Sequence, residues 1–291
     1  MTSTPHRKMK AADRQSVIRR VTSLLQKRYG RALPKSQRDV LQTMLFAIAL
    51  ENTSHTAAET ALQRLVAAFH DLNEIRVSSI NELESLLTGI PAPDWKALRI
   101  REALQYTFEK HYSFDLDSIK RKTMDLAEKQ LEKISHLSDF ARNYVLQHSL
   151  GSHVVPMDDV TREVVHWLGL APYGTDNKTT GEEIRSAVRK QDAPAFCHLL
   201  RELVTDRRYA GTFTQATSGA VDGDADGSTA VERLKQHMAH PPRVAKKPVK
   251  KSRKRPPVAS RTAKRSRAGS GTVHKRVSKP KSAGGSRRAG R

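Results

Sequence analysis

The C-terminal segment from His240 to Arg291 limits how much of this chain can fold. It contains nineteen Lys and Arg residues and no Asp or Glu. It also has no Leu, Ile, Phe, Tyr or Trp. Such a segment buries too little apolar surface to offset the loss of chain entropy, and we predict that it is disordered. We therefore expect a disordered N-terminus (1–12), a folded body (13–210), a flexible linker (211–239) and a disordered tail (240–291).

The charge of the tail indicates its partner. The formal net charge of the chain is +22, and the tail carries +19, which leaves +3 for the other 239 residues. Cations spaced along an extended chain bind the phosphates of nucleic acid without sequence preference and release counterions. The tail has no aromatic residue to stack on unpaired bases, which favours duplex DNA, although RNA or an anionic membrane surface would also attract it. The candidate DNA contacts are Lys246, Lys247, Lys250, Lys251, Arg253, Lys254, Arg255, Lys264, Arg265 and Arg267.

Apolar residues in the body recur at helical spacing, and no segment alternates as a strand would. Val17, Val21 and Leu24 illustrate the pattern near the N-terminus. We expect Thr53 or Ser54 to cap one helix and Ser79 to cap another, and the string Thr180-Gly-Glu-Glu183 matches a capping box that would start a further one. The sequence therefore predicts an all-α body.

The single cysteine, Cys197, excludes an intrachain disulfide and a multi-cysteine metal site, which favours a reducing cytoplasm. The acidic string Asp222–Gly227 is similar to the start of a calcium loop, but the twelfth position is Arg233 rather than Glu. We predict no metal ion and no cofactor. No apolar run has the ~20 residues of a membrane span, and the N-terminus lacks the apolar core of a secretion signal. We expect a monomer in the cytoplasm that associates with the nucleoid and not with a membrane.

Four strings, in this order and at these separations, resemble the endonuclease III branch of the helix-hairpin-helix DNA glycosylases. The resemblance runs from Arg38 to Tyr209 and implies the fold of that family. The strings are Asp39–Ser54, Gly89–Ile100, Leu131–Leu146 and Val154–Val164. The third lies at the position of the signature hairpin, which we place within residues 125–148.

The hairpin departs from the family form Leu-Pro-Gly-Val-Gly-Arg-Lys-Thr-Ala. The aligned residues, Ile134 to Arg142, read Ile-Ser-His-Leu-Ser-Asp-Phe-Ala-Arg, so both glycines are replaced. Those glycines let backbone amides approach a DNA phosphate, and their loss weakens that expectation here. The resemblance nevertheless makes His136, Leu137 and Ser138 the candidate phosphate contacts of the body.

The resemblance also identifies residues of the chemistry. Phe140 stands where lyases of the family carry a nucleophilic lysine, so a Schiff base at this position is excluded, and the ring is expected to fill core space or to stack on a base. Asp158 matches the carboxylate that stabilises positive charge on deoxyribose or activates water, and it could equally cap a helix. The iron–sulfur cluster of the family needs four cysteines, and this chain has one.

Two functions follow from the resemblance, and a third stays open. The chain could be a DNA-repair N-glycosylase that uses Asp158 and has no lyase activity. It could instead be a non-catalytic protein of the same fold that binds DNA or the chromosome through its tail. A role in association with RNA or the ribosome is the third.

Overall fold

The computed structural model describes residues 9–31, 33, 37–209, 211–213, 219 and 224–240. Of the N-terminus predicted to be disordered (1–12), residues 1–8 lie outside these residues, whereas Ala11 and Ala12 belong to a helix. The tail beyond residue 240, including its ten candidate DNA contacts, also lies outside them. The described residues form twelve α-helices and no β-strand, which confirms the predicted fold class. The helices are α1 (Ala11–Tyr29), α2 (Val40–Leu50), α3 (His55–Ala67), α4 (Leu72–Val77), α5 (Ile80–Leu86), α6 (Pro93–His111), α7 (Met124–Leu131), α8 (Asp139–His148), α9 (Asp159–Trp167), α10 (Asn177–Ala187), α11 (Ala193–Thr205) and α12 (Ala230–Ala239). Short 3₁₀ helices occupy Asp117–Arg121 and Gly227–Thr229.

Most of the helices begin behind a short polar side chain that accepts a hydrogen bond from the first turn. Of the two predicted candidates Thr53 and Ser54, Ser54 caps α3, and Ser79 caps α5 as predicted. The predicted start at Thr180 is wrong, because α10 begins at Asn177 behind the cap Asp176. Thr180 is instead fully buried.

The helices pack into two apolar clusters. The first cluster is built from α2 to α8, and nine of the eleven residues of α2 belong to it. The second cluster contains α1 together with α9 to α12, so the first of the described helices packs against the last ones. No helix among the described residues has the length and apolarity required to cross a membrane.

The second half of the predicted linker is part of the folded body. Residues 224–240 are described, and Ala230, Val231 and Leu234 of α12 are buried in the second cluster. The backbone just before α12 passes very close to Gly169, where a Cβ atom would lie 2.3 Å from the carbonyl oxygen of Ala225. The buried residues of α12 recur at helical spacing, and this spacing gives α12 one apolar face that packs on the body. The compact unit extends from Met1 to Ala245.

Candidate functional site

Two buried cations hold the C-terminal end of α2. The Lys96 ammonium donates to the carbonyl oxygens of Ala49 at 2.8 Å and of Glu51 at 2.7 Å. The Arg201 guanidinium donates to those of Leu50 at 3.1 Å and of Thr53 at 3.0 Å. Helix C-termini leave carbonyls unpaired and attract positive charge, so both cations stabilise this end. Burial lowers the pKa of Lys96 to about 8.

Asp158, the candidate catalytic residue, is 1% exposed and fully engaged in hydrogen bonds. Its Oδ1 accepts from the backbone N–H of Thr161 at 3.2 Å and from the Thr161 hydroxyl at 2.5 Å, so it caps α9. Its Oδ2 accepts from the Asn52 N–H at 2.7 Å and from Arg201 Nη2 at 2.7 Å. Burial by itself would raise the pKa of Asp158, but the Arg201 guanidinium and the hydrogen bonds bring it below its usual value. The carboxylate is therefore ionised and paired.

The hairpin between α7 and α8 keeps one backbone feature that glycine usually provides. His136, at the place of the first family glycine, has a φ of 60°, in the left-handed region. Ser138, at the place of the second, has a φ of −71° and caps α8 by accepting from the Ala141 N–H. Only the first position therefore needs the freedom of glycine, and His136 meets the requirement at some cost in strain. His136 is exposed and contacts the half-exposed Trp95, with ring centroids 6.2 Å apart.

A cavity of about 180 Å³ lies between α2, α8 and α11. It would hold about six liquid water molecules, a space comparable to one planar heterocycle. Phe140, which is 3% exposed, forms part of its wall beneath Arg201. Both predicted roles of Phe140 remain open, because the ring belongs to the first cluster and also faces the cavity. The lining residues are Leu33, Arg38, Thr43, Phe46, Leu50, His55, Phe140, Tyr144, His148, Pro156, Pro194, Cys197, His198 and Arg201.

Three histidines and a tyrosine add polar groups to the cavity, beside Arg38, Thr43 and Arg201. The imidazoles of His55, His148 and His198 and the hydroxyl of Tyr144 form no hydrogen bond with any residue that the structure describes. Their contacts are between rings: His148 stacks on Tyr144 at 4.0 Å between centroids, and His55 meets His198 edge-on at 5.6 Å. Burial lowers the pKa of His55 and of His148 to about 4, so both imidazoles are uncharged at neutral pH. Each can offer one donor and one acceptor to a bound molecule.

The single thiol also lines this cavity. Cys197 is partly buried, and burial raises the pKa of its thiol to about 12, so it stays protonated and unreactive at neutral pH. Across the described residues, no cluster of three or more His, Cys, Asp or Glu side chains is arranged to hold a metal ion. Of the acidic string near residue 222, Asp224 accepts from the Tyr173 N–H and Asp226 from the Ser228 N–H.

The structure brings some predicted residues together and separates others. Asp158 and Phe140 both contact Arg201, although only Phe140 lines the cavity. Arg201 and the three cavity histidines are not predicted from the sequence. Arg201 left no signal, because it is followed by Glu202 and does not lie on the helical face of Leu199, Leu200 and Leu203. The histidines left none, because they lie on three helices that meet only in the folded chain.

Comparisons with known proteins give the fold. The chain is similar to endonuclease III in a trapped covalent intermediate with DNA, an estranged-adenine complex, with a TM-score of 0.55 and 14% identity over 76% of this chain and 98% of that chain. It is also similar to endonuclease III in a non-covalent DNA complex, with a TM-score of 0.55 and 13% identity over 78% of this chain and 99% of that one. No protein-family model and no curated protein matches the sequence. The structural likeness confirms the predicted resemblance at the level of the fold. The chain has the fold of the helix-hairpin-helix DNA glycosylases.

Proposed function

We propose that this protein binds duplex DNA and holds one extruded base in the cavity between α2, α8 and α11. The observation that carries the proposal is a base-sized cavity whose imidazoles and hydroxyl have no hydrogen-bond partner among the described residues. Proteins that extrude a base bind it by stacking on aromatic rings and by hydrogen bonds to its edge. The two endonuclease III structures with the same fold were both determined with DNA.

We propose further that the protein recognises the base without cleaving its N-glycosyl bond. Phe140 cannot form a Schiff base. Asp158 accepts four hydrogen bonds, and the one from Arg201 is also an ion pair; Arg201 lines the cavity and Asp158 does not. A carboxylate stabilises a sugar cation through its uncompensated charge, and a guanidinium 2.7 Å away offsets that charge. The alternative, a monofunctional glycosylase that uses Asp158, stays a prediction.

Base release from lesion-bearing duplexes decides between these two functions. We expect the purified full-length protein to release no base from a panel of damaged, deaminated and mismatched substrates, with release measured by alkaline or abasic-site-specific strand cleavage. Release by the wild-type protein would overturn the non-catalytic proposal. Asp158→Asn, tested beside it, would then show whether this carboxylate is responsible.

Cavity binding is tested in parallel by affinity. A duplex with one unpairable base should bind more tightly than the fully paired duplex of the same sequence. His148→Ala removes one uncommitted imidazole from the cavity, and it should reduce that difference. His70→Ala is the matched control, because His70 lies on another part of the body and does not line the cavity. Equal affinity for the two duplexes in the wild-type protein would contradict base extrusion.

The basic tail is proposed as the main DNA anchor. Its nineteen cations bind phosphates without sequence preference. The hairpin, in contrast, has Ser138 in place of a glycine and the acidic Asp139 where the family has a basic side chain. His136, Leu137 and Ser138 are at most secondary contacts in this proposal. The tail holds the body on DNA while the cavity samples bases.

A further inference from the structure

We infer that the cavity accepts uncharged bases and rejects cationic ones, such as bases alkylated on a ring nitrogen. The inference rests on the proposed binding of an extruded base. It comes from the distribution of charge around the cavity, in which two guanidinium groups face inward and their carboxylate partners do not.

Arg38 and Arg201 line the cavity, and each is paired with an acid that does not line it. Arg38 forms an ion pair with Glu59, and Arg201 forms one with Asp158. Neither acid is among the cavity residues, and the described lining contains no Asp or Glu. Both ion pairs therefore direct their positive ends toward the cavity. A cationic base placed there would lie nearer to the two guanidinium groups than to their carboxylates, in a partly desolvated space whose described lining offers no acid of its own.

The aromatic walls do not compensate a positive charge. A ring face attracts a cation through its quadrupole, which is how aromatic pockets recognise cationic ligands. Here the protein's own cations already use that attraction. The Arg38 guanidinium carbon lies 4.0 Å from the centroid of Phe46, and that of Arg201 lies 4.9 Å from the centroid of Phe140. The remaining ring surface suits stacking with a neutral heterocycle.

The uncommitted polar groups fit a neutral base edge. His55, His148 and His198 are uncharged imidazoles, and Tyr144 carries a protonated hydroxyl, so each offers both a donor and an acceptor. The lowered pKa of His55 agrees with guanidinium groups that face the cavity. Its pKa is lowered by burial first and then by His198 and Arg38; Glu59 offsets part of this lowering, and Arg201 adds a smaller one. The surroundings that oppose a proton on His55 oppose a positive charge on a base beside it.

The test compares two bases of almost the same shape that differ by one charge. Duplexes of one sequence carry either 3-methylcytosine, which is cationic at neutral pH, or 3-methyluracil, which is neutral. The N3-methyl group prevents Watson–Crick pairing in both, so both bases are available for extrusion. We expect the full-length protein to bind the 3-methyluracil duplex at least about tenfold more tightly, which corresponds to about 1.4 kcal/mol. Titrations at constant salt measure the ratio.

A charge-altered variant provides the control. His198→Asp places a carboxylate in the cavity wall and should reduce or invert the preference, while His70→Asp, outside the cavity, should leave it unchanged. Equal binding of both modified duplexes, each tighter than the unmodified one, would overturn this inference but keep base binding. Binding of neither above the unmodified duplex would overturn the proposed function itself. If His198→Asp does not fold, the wild-type ratio alone still decides the inference.

Discussion

At the scale of single residues, Arg201 connects the features of the site. It pairs with Asp158, donates to the C-terminal turn of α2 and lies over Phe140 in the cavity wall. Its side chain is 5% exposed and that of Asp158 is 1% exposed. A buried pair of this kind is costly to break, because removal of one partner leaves the other charge buried without compensation.

We expect Arg201→Met to lower the free energy of unfolding by about 3–5 kcal/mol, measured by urea denaturation at pH 7. Lys235→Met is the control, because the Lys235–Glu232 pair is more than half exposed and should contribute less than about 1 kcal/mol. If the two variants were destabilised to a similar extent, the buried Arg201–Asp158 pair would not stabilise the fold more than an exposed pair does.

The sequence located Asp158 and Phe140 but could not reveal what binds them. Asp158 was predicted as a catalytic carboxylate or as a helix cap, and the structure shows the cap, while catalysis stays a prediction. Arg201 lies 43 residues further along the chain, so the pair depends on the packing of α9 against α11. Likewise, the sequence shows that His136 stands where the family has a glycine, but it does not show that the backbone of His136 is left-handed.

At the scale of helices, local rules predicted most elements and failed where tertiary contacts compete. Ser54 and Ser79 cap helices as expected because their hydroxyls stay with the first turn of their own helix. Thr180 matches the same kind of motif, yet its hydroxyl bonds to Thr175 and His166 inside the body. Tertiary burial removed it from a capping role, and that burial cannot be deduced from four residues of sequence.

The attachment of α12 to the body depends on Gly169. Gly169 and Gly174 both have a positive φ, but only Gly169 of the two has backbone within 4 Å of a Cβ position. We expect Gly169→Ala to destabilise the protein more than Gly174→Ala, which should cost only about 1 kcal/mol for its backbone conformation. Gly169→Ala should also expose α12 to limited proteolysis. Equal stability of the two variants would show that the close approach at Gly169 is not needed.

At the scale of the whole molecule, charge and fold are divided between two segments. The body carries the cavity, and almost all of the net positive charge belongs to the tail beyond it. This division was evident from the sequence alone, because a count of charged residues shows that the tail has no Asp or Glu. The cavity was not, since its walls come from residues between Leu33 and Arg201.

Removal of residues 246–291, which lie beyond the compact unit, should flatten the dependence of DNA affinity on salt. The slope of log K against log salt should fall by about 0.9 for each phosphate that the protein no longer neutralises. A variant with the same tail residues in scrambled order should retain the original slope, because the binding is independent of sequence. An unchanged slope after truncation would assign the phosphate contacts to the body.

The packing of α1 against α12 also affects how the chain is made. The apolar face of α1, which carries Val17, Val21 and Leu25, is covered by helices that end as late as Ala239. At a synthesis rate of about 5–20 residues per second, α1 leaves the ribosome on the order of ten to forty seconds before α12 does. The first cluster, whose residues all lie between Val40 and Leu146, can assemble during that interval. The second can close around α1 only after α12 has left the ribosome, so the apolar face of α1 stays uncovered while the residues between the two helices are synthesised.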